Sequence, residues 1–348
     1  MKEGYIPKEQ RKNILLLTDD IRFPSGVGNV GKEIVLHTSH RYNWYNLGAA
    51  MNHPDKGKVL DISDEINKLA GIDDASVKIQ PNDGYGSPHI LRNLRKQNKI
   101  DAIFLITDPR YFEWLFQIEN EIRTEIPIIY LNIWDDLPAP LYNKGFYESV
   151  DTLLGISKQT VNINKMVLGD KAKTKIIDYV PHGMNTEMFY PITVEDLEYT
   201  TFKKQLGVED KDFILFFNSR NIRRKNIPDT MLSWKYFLDQ LPKEKADKCM
   251  FILHTELVSD HGTDLQAVAN VIFGKNSPHI KFSTNKLSSK HLNYIYNIVD
   301  AQILLTSNEG WGLSLTEALL TGTPIIANVT GGMQDQMRFE DKDGNWIN

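Results

Sequence analysis

Along the chain, short apolar runs with polar flanks alternate with longer stretches in which apolar residues recur every three or four positions. Asn13-Ile14-Leu15-Leu16-Leu17-Thr18 is of the first kind, and its continuous apolar character predicts a strand covered on both faces. A glycine-bearing turn at residues 24–28 follows it, and then a predicted helix through Val30, Ile34 and Val35. Further strands are predicted at residues 102–106, 126–131 and 153–156. Between the first two of these, a helix is predicted over residues 111–122, where Phe112, Leu115, Phe116 and Ile118 recur at helical spacing. Strand and helix alternating in this way argue for a parallel sheet with helices on both faces.

The pattern then restarts. Residues 178–185 are turn-rich, and an acidic, irregular stretch runs to about residue 200. Beyond it, strands are predicted at 213–217, 250–253, 301–305 and 324–327, with helices over 231–238 and 292–298. The expected fold is therefore α/β, two Rossmann-like domains facing a central cleft at the C-terminal ends of their strands. The expected boundaries are 1–180 for the first domain, 181–200 for a linker and 201–348 for the second domain. Asn348 comes soon after the Gly331-Gly332 turn, so the second domain is expected to lack closing helices and the chain to be a fragment of a longer reading frame.

Composition narrows the function classes. The length of 348 residues suits two domains, and 41% apolar with 24% charged residues suits a chain that buries ordinary cores. A net charge of −5 gives no global attraction to nucleic acid or anionic lipid. Cys249 is the single cysteine, which excludes an internal disulfide, and its apolar run Cys249-Met250-Phe251-Ile252-Leu253 reads as core. The polar first dozen residues lack a signal peptide's apolar stretch, and no apolar run approaches the roughly 20 residues of a membrane span. A soluble, cytoplasmic protein is expected. The nine histidines show no zinc spacing, and neither a Gly-x-Ser-x-Gly elbow nor a Walker loop occurs. Trp44, Tyr45, Tyr111 and Trp114 are expected in cores rather than stacked on a ligand.

Three stretches carry candidate chemistry. In residues 307–319, Glu309 and Glu317 stand eight positions apart around Gly310, Gly312, Leu313 and Ser314. A helix starting near Gly312 places Glu317 on the helix and Glu309 in the loop before it. The free N–H groups of such an N-terminus suit a pyrophosphate, and the two carboxylates suit sugar and ribose hydroxyls. Taken alone, a loop acid plus a helix-capping acid fits equally well. The second stretch, residues 217–225, clusters Arg220, Arg223, Arg224 and Lys225 after a predicted strand, and alone it fits a solvated loop. In the third, Gly26 and Gly28 let backbone N–H groups approach an anion closely, although a Gly-x-Gly by itself fits an ordinary tight turn.

Together these stretches resemble the large family of retaining glycosyltransferases with the GT-B fold, family 4 or group 1. The Glu309–Glu317 stretch is similar to that family's Glu-x7-Glu element, which implies that Glu309 contacts the transferred sugar and Glu317 the nucleotide ribose. Arg220 and Lys225 match its Arg-x4-Lys pair, which implies that they neutralise the donor diphosphate without a metal. The glycine turn at Gly26 and Gly28 resembles the loop that faces the donor phosphate, and residues 181–191 resemble the interdomain segment that serves as a hinge. The resemblance implies a nucleoside diphosphate sugar donor, expected to be UDP-linked, no cofactor or metal, and transfer to a hydroxyl with retention at the anomeric carbon. Glycan, lipid-linked and modified-DNA acceptors all stay open, as does the oligomeric state. The last acceptor class is suggested by a likeness to relatives encoded by tailed bacteriophages. An epimerase or phosphorylase of the same fold, and a sugar-nucleotide-binding module without turnover, are the alternatives.

The sequence also departs from the family pattern. Relatives often carry a histidine after the strand at 128–131, where this chain offers Asn132, Trp134, Asp135 and Asp136, and Asp135 competes with a simple cap. After Gly331-Gly332, Met333-Gln334-Asp335 stands where a glutamate is common.

Overall fold

The computed structural model describes residues 2–337, 339–340, 342–343 and 345–347. The chain forms two compact units, Met1–Gly183 and Met184–Asn348. In the first unit the order is β1 (Lys12–Asp19), α1 (Gly26–Thr38), β2 (Tyr42–Ala49), β3 (Leu60–Asp61), α2 (Ser63–Ala70), β4 (Val77–Asn82), α3 (Pro88–Gln97) and β5 (Ala102–Ile106). It continues with α4 (Glu113–Phe116), α5 (Glu119–Ile122), β6 (Ile128–Asn132), α6 (Lys144–Glu148), β7 (Thr152–Gly155), α7 (Lys158–Leu168) and β8 (Ile176–Tyr179). The eight strands run β3-β4-β2-β1-β5-β6-β7-β8 across one sheet. All neighbours are parallel except β3 with β4. Strand order reverses between β1 and β5. Leu15, Leu16, Leu17, Ile103 and Leu105 are fully buried there, as their continuous apolar runs require.

The second unit contains α8 (Leu197–Leu206), β9 (Phe213–Asn218), α9 (Ile227–Asp239), α10 (Lys243–Ala246), β10 (Cys249–His254), α11 (Leu265–Phe273) and β11 (Ile280–Ser283). After these come α12 (Ser289–Ile298), β12 (Ala301–Leu304), α13 (Leu313–Thr321), β13 (Ile325–Ala327) and α14 (Met333–Met337). Five strands of this unit form a parallel sheet in the order β11-β10-β9-β12-β13, so the reversal lies between β9 and β12. Phe217, Phe251, Met231 and Trp234 fill one side of this sheet, and Phe216, Ile252, Ile295 and Tyr296 fill the other. Cys249 belongs to the first of these cores, where its thiol lies 3.3 Å from the Lys245 carbonyl.

Several expectations need correction. The helix expected over 111–122 is instead a 3₁₀ turn, Pro109–Phe112, followed by the short α4 and α5. Phe112, Leu115 and Ile118 are spaced by three, which suits the tighter winding and keeps Phe112 and Leu115 in the core. Strand β8 occupies part of the segment expected to be turn-rich. The Gly331-Gly332 turn leads directly into α14, so a short helix does follow it. Tyr111, expected in a core, is 58% exposed, whereas Trp44 is buried.

Candidate active site

In an open parallel sheet, ligands bind outside the C-terminal ends of the strands where strand order reverses. In the second unit that place lies between Asn218, the last residue of β9, and the chain leaving β12 toward α13. Both segments are held by backbone bonds. The Arg224 carbonyl accepts from Ser307 N at 2.8 Å and from Thr306 Oγ1 at 2.9 Å, which ties the loop after β9 to the loop after β12. Asn226 takes a left-handed conformation (φ 48°) and turns the chain from the short Arg223–Lys225 turn into α9. Asparagine tolerates that conformation better than most residues.

This turn sets two cations against one carboxylate. Arg224 Nη1 lies 3.0 Å from Glu309 Oε2, and Lys225 Nζ contacts the same oxygen. The Lys225 and Glu309 side chains are only 7% and 13% exposed, so this is a desolvated pair rather than a surface contact. Burial opposes ionisation of Glu309, but the charges of Lys225 and Arg224 outweigh it and hold the carboxyl below its usual range. Arg220 lies apart from this cluster. Its side chain is 77% exposed, and its guanidinium is 3.8 Å from Glu256 Oε1. The neighbouring Asn221 is buried and binds the backbone at Glu256 and Thr263, so the turn is anchored while Arg220 projects from it.

Gly312 caps α13 in the left-handed region at φ 91°, and among the described residues no side chain caps this helix start. The N–H groups of the first turn, at Leu313 and Ser314, therefore face the strand ends without a side-chain acceptor. The Gly331-Gly332 pair fixes the loop that leads there. Gly332 N donates to Glu309 O at 2.7 Å, and a Cβ on Gly331 or Gly332 would fall 2.0 Å from Glu309 O or 1.9 Å from Gly310 O. Only glycine permits this approach, and the Gly-Gly dipeptide was the signal for it.

Glu317, one turn further along α13, has a different environment. Tyr296 Oη donates to its Oε2 at 2.6 Å, and Asn218 Nδ2 donates to the same oxygen at 3.1 Å. Burial pushes its pKa up to about 7, with the Tyr296 and Asn218 hydrogen bonds opposing the rise. Two glutamates eight positions apart thus differ: one is held charged by cations, and the other titrates near neutrality. Arg224 stood in the predicted cation cluster without a role of its own, and Tyr296 and Asn218 escaped the sequence reading, because their partners lie on other elements of the fold.

In the first unit the start of α1 lies at the β1–β5 reversal. Ser25 caps it, accepting from Gly28 N at 2.9 Å and donating to Asp19 Oδ2 at 2.5 Å. A Cβ on Gly28 would meet Phe23 O at 2.8 Å, whereas nothing lies within 4 Å of one on Gly26. Gly28 is thus required by the turn itself, and Gly26 leaves open space. Tyr85, from the loop between β4 and α3, donates to Asp19 Oδ1 at 2.6 Å. At the end of β6, Asn132 is buried and occupied. Its Nδ2 donates to Tyr147 Oη (2.8 Å) and Asn164 Oδ1 (2.6 Å), and its Oδ1 accepts from Trp134 N (3.0 Å). Asn132 therefore holds the fold at the end of this strand.

Residues 198–348 match the family described as Glycosyl transferases group 1. The α-monoglucosyldiacylglycerol synthase of Acholeplasma laidlawii is 23% identical over 147 residues, which cover 42% of this chain and 34% of that protein. The chain thus spans about a third of that relative's length. Among solved structures, Anabaena HepE in complex with UDP and glucose superposes with a TM-score of 0.66 at 14% identity, over 93% of this chain and 83% of that one. Sucrose-phosphate synthase from Thermosynechococcus elongatus gives 0.68 at 15% identity, with the same two coverages. An E. coli structure of trehalose-6-phosphate bound with UDP-2-fluoro glucose gives 0.67 at 12% identity, over 94% of this chain and 86% of that one. The fold is that of these GT-B proteins, two Rossmann-like domains each built on a parallel sheet. Among the described residues, no helix is long and apolar enough to cross a membrane.

Proposed function

We propose that this chain belongs to a glycosyltransferase that moves a sugar from a nucleoside diphosphate donor, UDP-linked, to a hydroxyl acceptor, with retention and without a metal. One observation carries the reading: Glu309 and Glu317 bracket an uncapped helix start at the strand-order reversal, with Lys225 and Arg224 fixed beside Glu309. The group 1 match over the same residues and the UDP-sugar complexes of the structural relatives support it.

In this reading the N–H groups at Gly310, Gly312, Leu313 and Ser314 meet the diphosphate. Arg220 swings onto it, and Lys225 shares its charge between Glu309 and the phosphate. Glu309 accepts from sugar hydroxyls and Glu317 from the ribose. Gly26 and Gly28 form the corresponding anion-facing turn of the first unit. The acceptor oxygen bonds to the anomeric carbon on the face from which the phosphate leaves. The sugar–phosphate bond breaks with its electrons on the phosphate, and a phosphate oxygen takes the hydroxyl proton. The protein contributes position and fixed positive charge, which suits a site built on cations. Glycan, lipid-linked and modified-DNA hydroxyls are the acceptor classes for such a site.

The test is UDP release from UDP-, GDP- and ADP-sugars in EDTA, comparing the chain with a Glu309→Ala/Lys225→Ala double variant. Release from one donor that survives EDTA and is lost in the variant is the expected result. Binding of UDP without release points to a sugar-nucleotide-binding module, and absence of both refutes the reading.

A further inference from the structure

We infer that Tyr296 is a positioning residue for donor recognition, one that fixes one oxygen of Glu317 and leaves the other to accept hydroxyls from the bound nucleotide. This rests on the reading of Glu317 as the ribose-facing acid.

Tyr296 has no freedom to do otherwise. It is fully buried on α12, with its ring edge-on to Phe216 at 5.2 Å and to Phe189 at 6.1 Å. Its own carbonyl accepts from Thr323 Oγ1 at 2.7 Å, which locks the helix at this residue against the turn before β13. A phenol has one hydrogen to give. The 2.6 Å contact gives it to Glu317 Oε2 in preference to Ser314 O at 3.2 Å. The phenol oxygen in turn accepts from Asn218 Nδ2 at 3.0 Å, and that amide also reaches Glu317 Oε2. Three side chains from α12, β9 and α13 thus close a triangle around a single carboxylate oxygen. Among the described residues none donates to Oε1, and no ion pair reaches Glu317. Tyr296 and Asn218 are therefore the groups that set its orientation and oppose the burial that favours its protonated form.

Two consequences separate positioning from plain packing. The phenol donates to the charged form, so it opposes the burial that favours a protonated Glu317. Removing the hydroxyl should raise the pH needed for nucleotide binding. The effect should also vanish when residue 317 cannot ionise, because coupled residues do not contribute additively.

The experiment measures UDP affinity by calorimetry between about pH 6 and pH 9 for the full chain and for Tyr296→Phe, Glu317→Gln and the double variant. Tyr296→Phe is expected to weaken UDP roughly tenfold near neutral pH and to move the acid limb upward by about one pH unit. Glu317→Gln should weaken UDP and flatten the profile, and the double variant should bind no worse than Glu317→Gln. Asn218→Ala removes the second donor from outside the core, and it should move the limb in the same direction even if Tyr296→Phe folds poorly. An unmoved limb in Tyr296→Phe, or an equal loss in both backgrounds, overturns the inference while leaving Glu317 in its role. Wild-type binding by Glu317→Gln overturns the ribose reading itself, and the inference with it.

Discussion

Glu317→Gln should stabilise the second unit at alkaline pH and leave it unchanged in acid. Burial moves the Glu317 pKa from 4.5 to about 7, so the folded state holds this proton more tightly than the unfolded chain does. The stability tied to that proton is complete below about pH 4.5 and is lost as the pH rises through about 7. At about 1.36 kcal/mol per pH unit, the step from 4.5 to 7 bounds the loss at about 3.4 kcal/mol. The residue as a whole keeps some contact with solvent, so about 2 kcal/mol is the expected cost. Glutamine carries no charge at any pH and keeps the shape of the side chain. Urea unfolding near pH 8.5 should therefore show the variant more stable by about 2 kcal/mol, or about 4–8 °C in melting temperature. Near pH 4 the two proteins should coincide. A gain of equal size at both pH values, or no gain in alkali, refutes the reasoning. The same variant should bind UDP less well, so stability is gained at the site where function needs a charge.

Other outcomes follow from the same geometry. Lys225→Ala and Glu309→Ala each strand a buried charge and should cost about 3 kcal/mol in urea unfolding, while the double variant should cost clearly less than the sum. Arg220→Ala should leave the melting temperature within about 1 °C yet weaken UDP about tenfold, because this exposed guanidinium has no packing role. Arg224→Ala should lower both, and indistinguishable behaviour of the two arginine variants would remove the distinction drawn between them. Gly331→Ala and Gly332→Ala, which drive a Cβ into backbone oxygens, should each cost more than about 3 kcal/mol by thermal unfolding. Gly322→Ala, at φ 76° with open space around it, should cost only about 1 kcal/mol.

The two α/β units were legible wherever strands were continuously apolar. Residues 14–17 and 213–217 announced β1 and β9 because burial on both faces leaves no polar positions to blur the run. Strand β2 was missed because Asn43, Asn46 and Gly48 interrupt it. Asn46 is nonetheless wholly buried, accepting from Ile21 N at 3.2 Å and donating to Leu16 O at 3.3 Å. A polar residue satisfied by distant backbone cannot be told from a loop residue by pattern alone. The site divides along the same line. Glu309, Gly312 and Glu317 share one continuous stretch, so their spacing carried meaning. Tyr296 reads as one more aromatic on an amphipathic helix, and Arg224 as one more cation in a loop. Only folding brings them to the carboxylates.

The contact of Gly331 and Gly332 with the loop at Glu309 also bears on the order in which the site is assembled during synthesis. The loop from Ser307 to Gly312 leaves the ribosome before the chain that braces its backbone. Until residues 331 and 332 emerge, Glu309 lacks the N–H that anchors its carbonyl. A nascent chain halted so that α13 has left the exit tunnel and Gly331 has not should therefore hold most of the second sheet and still fail to retain UDP. One halted far enough beyond Met337 to free α14 from the exit tunnel should retain it. Nucleotide capture along a series of stalled chains would mark the point in translation at which this unit gains its ligand-binding half.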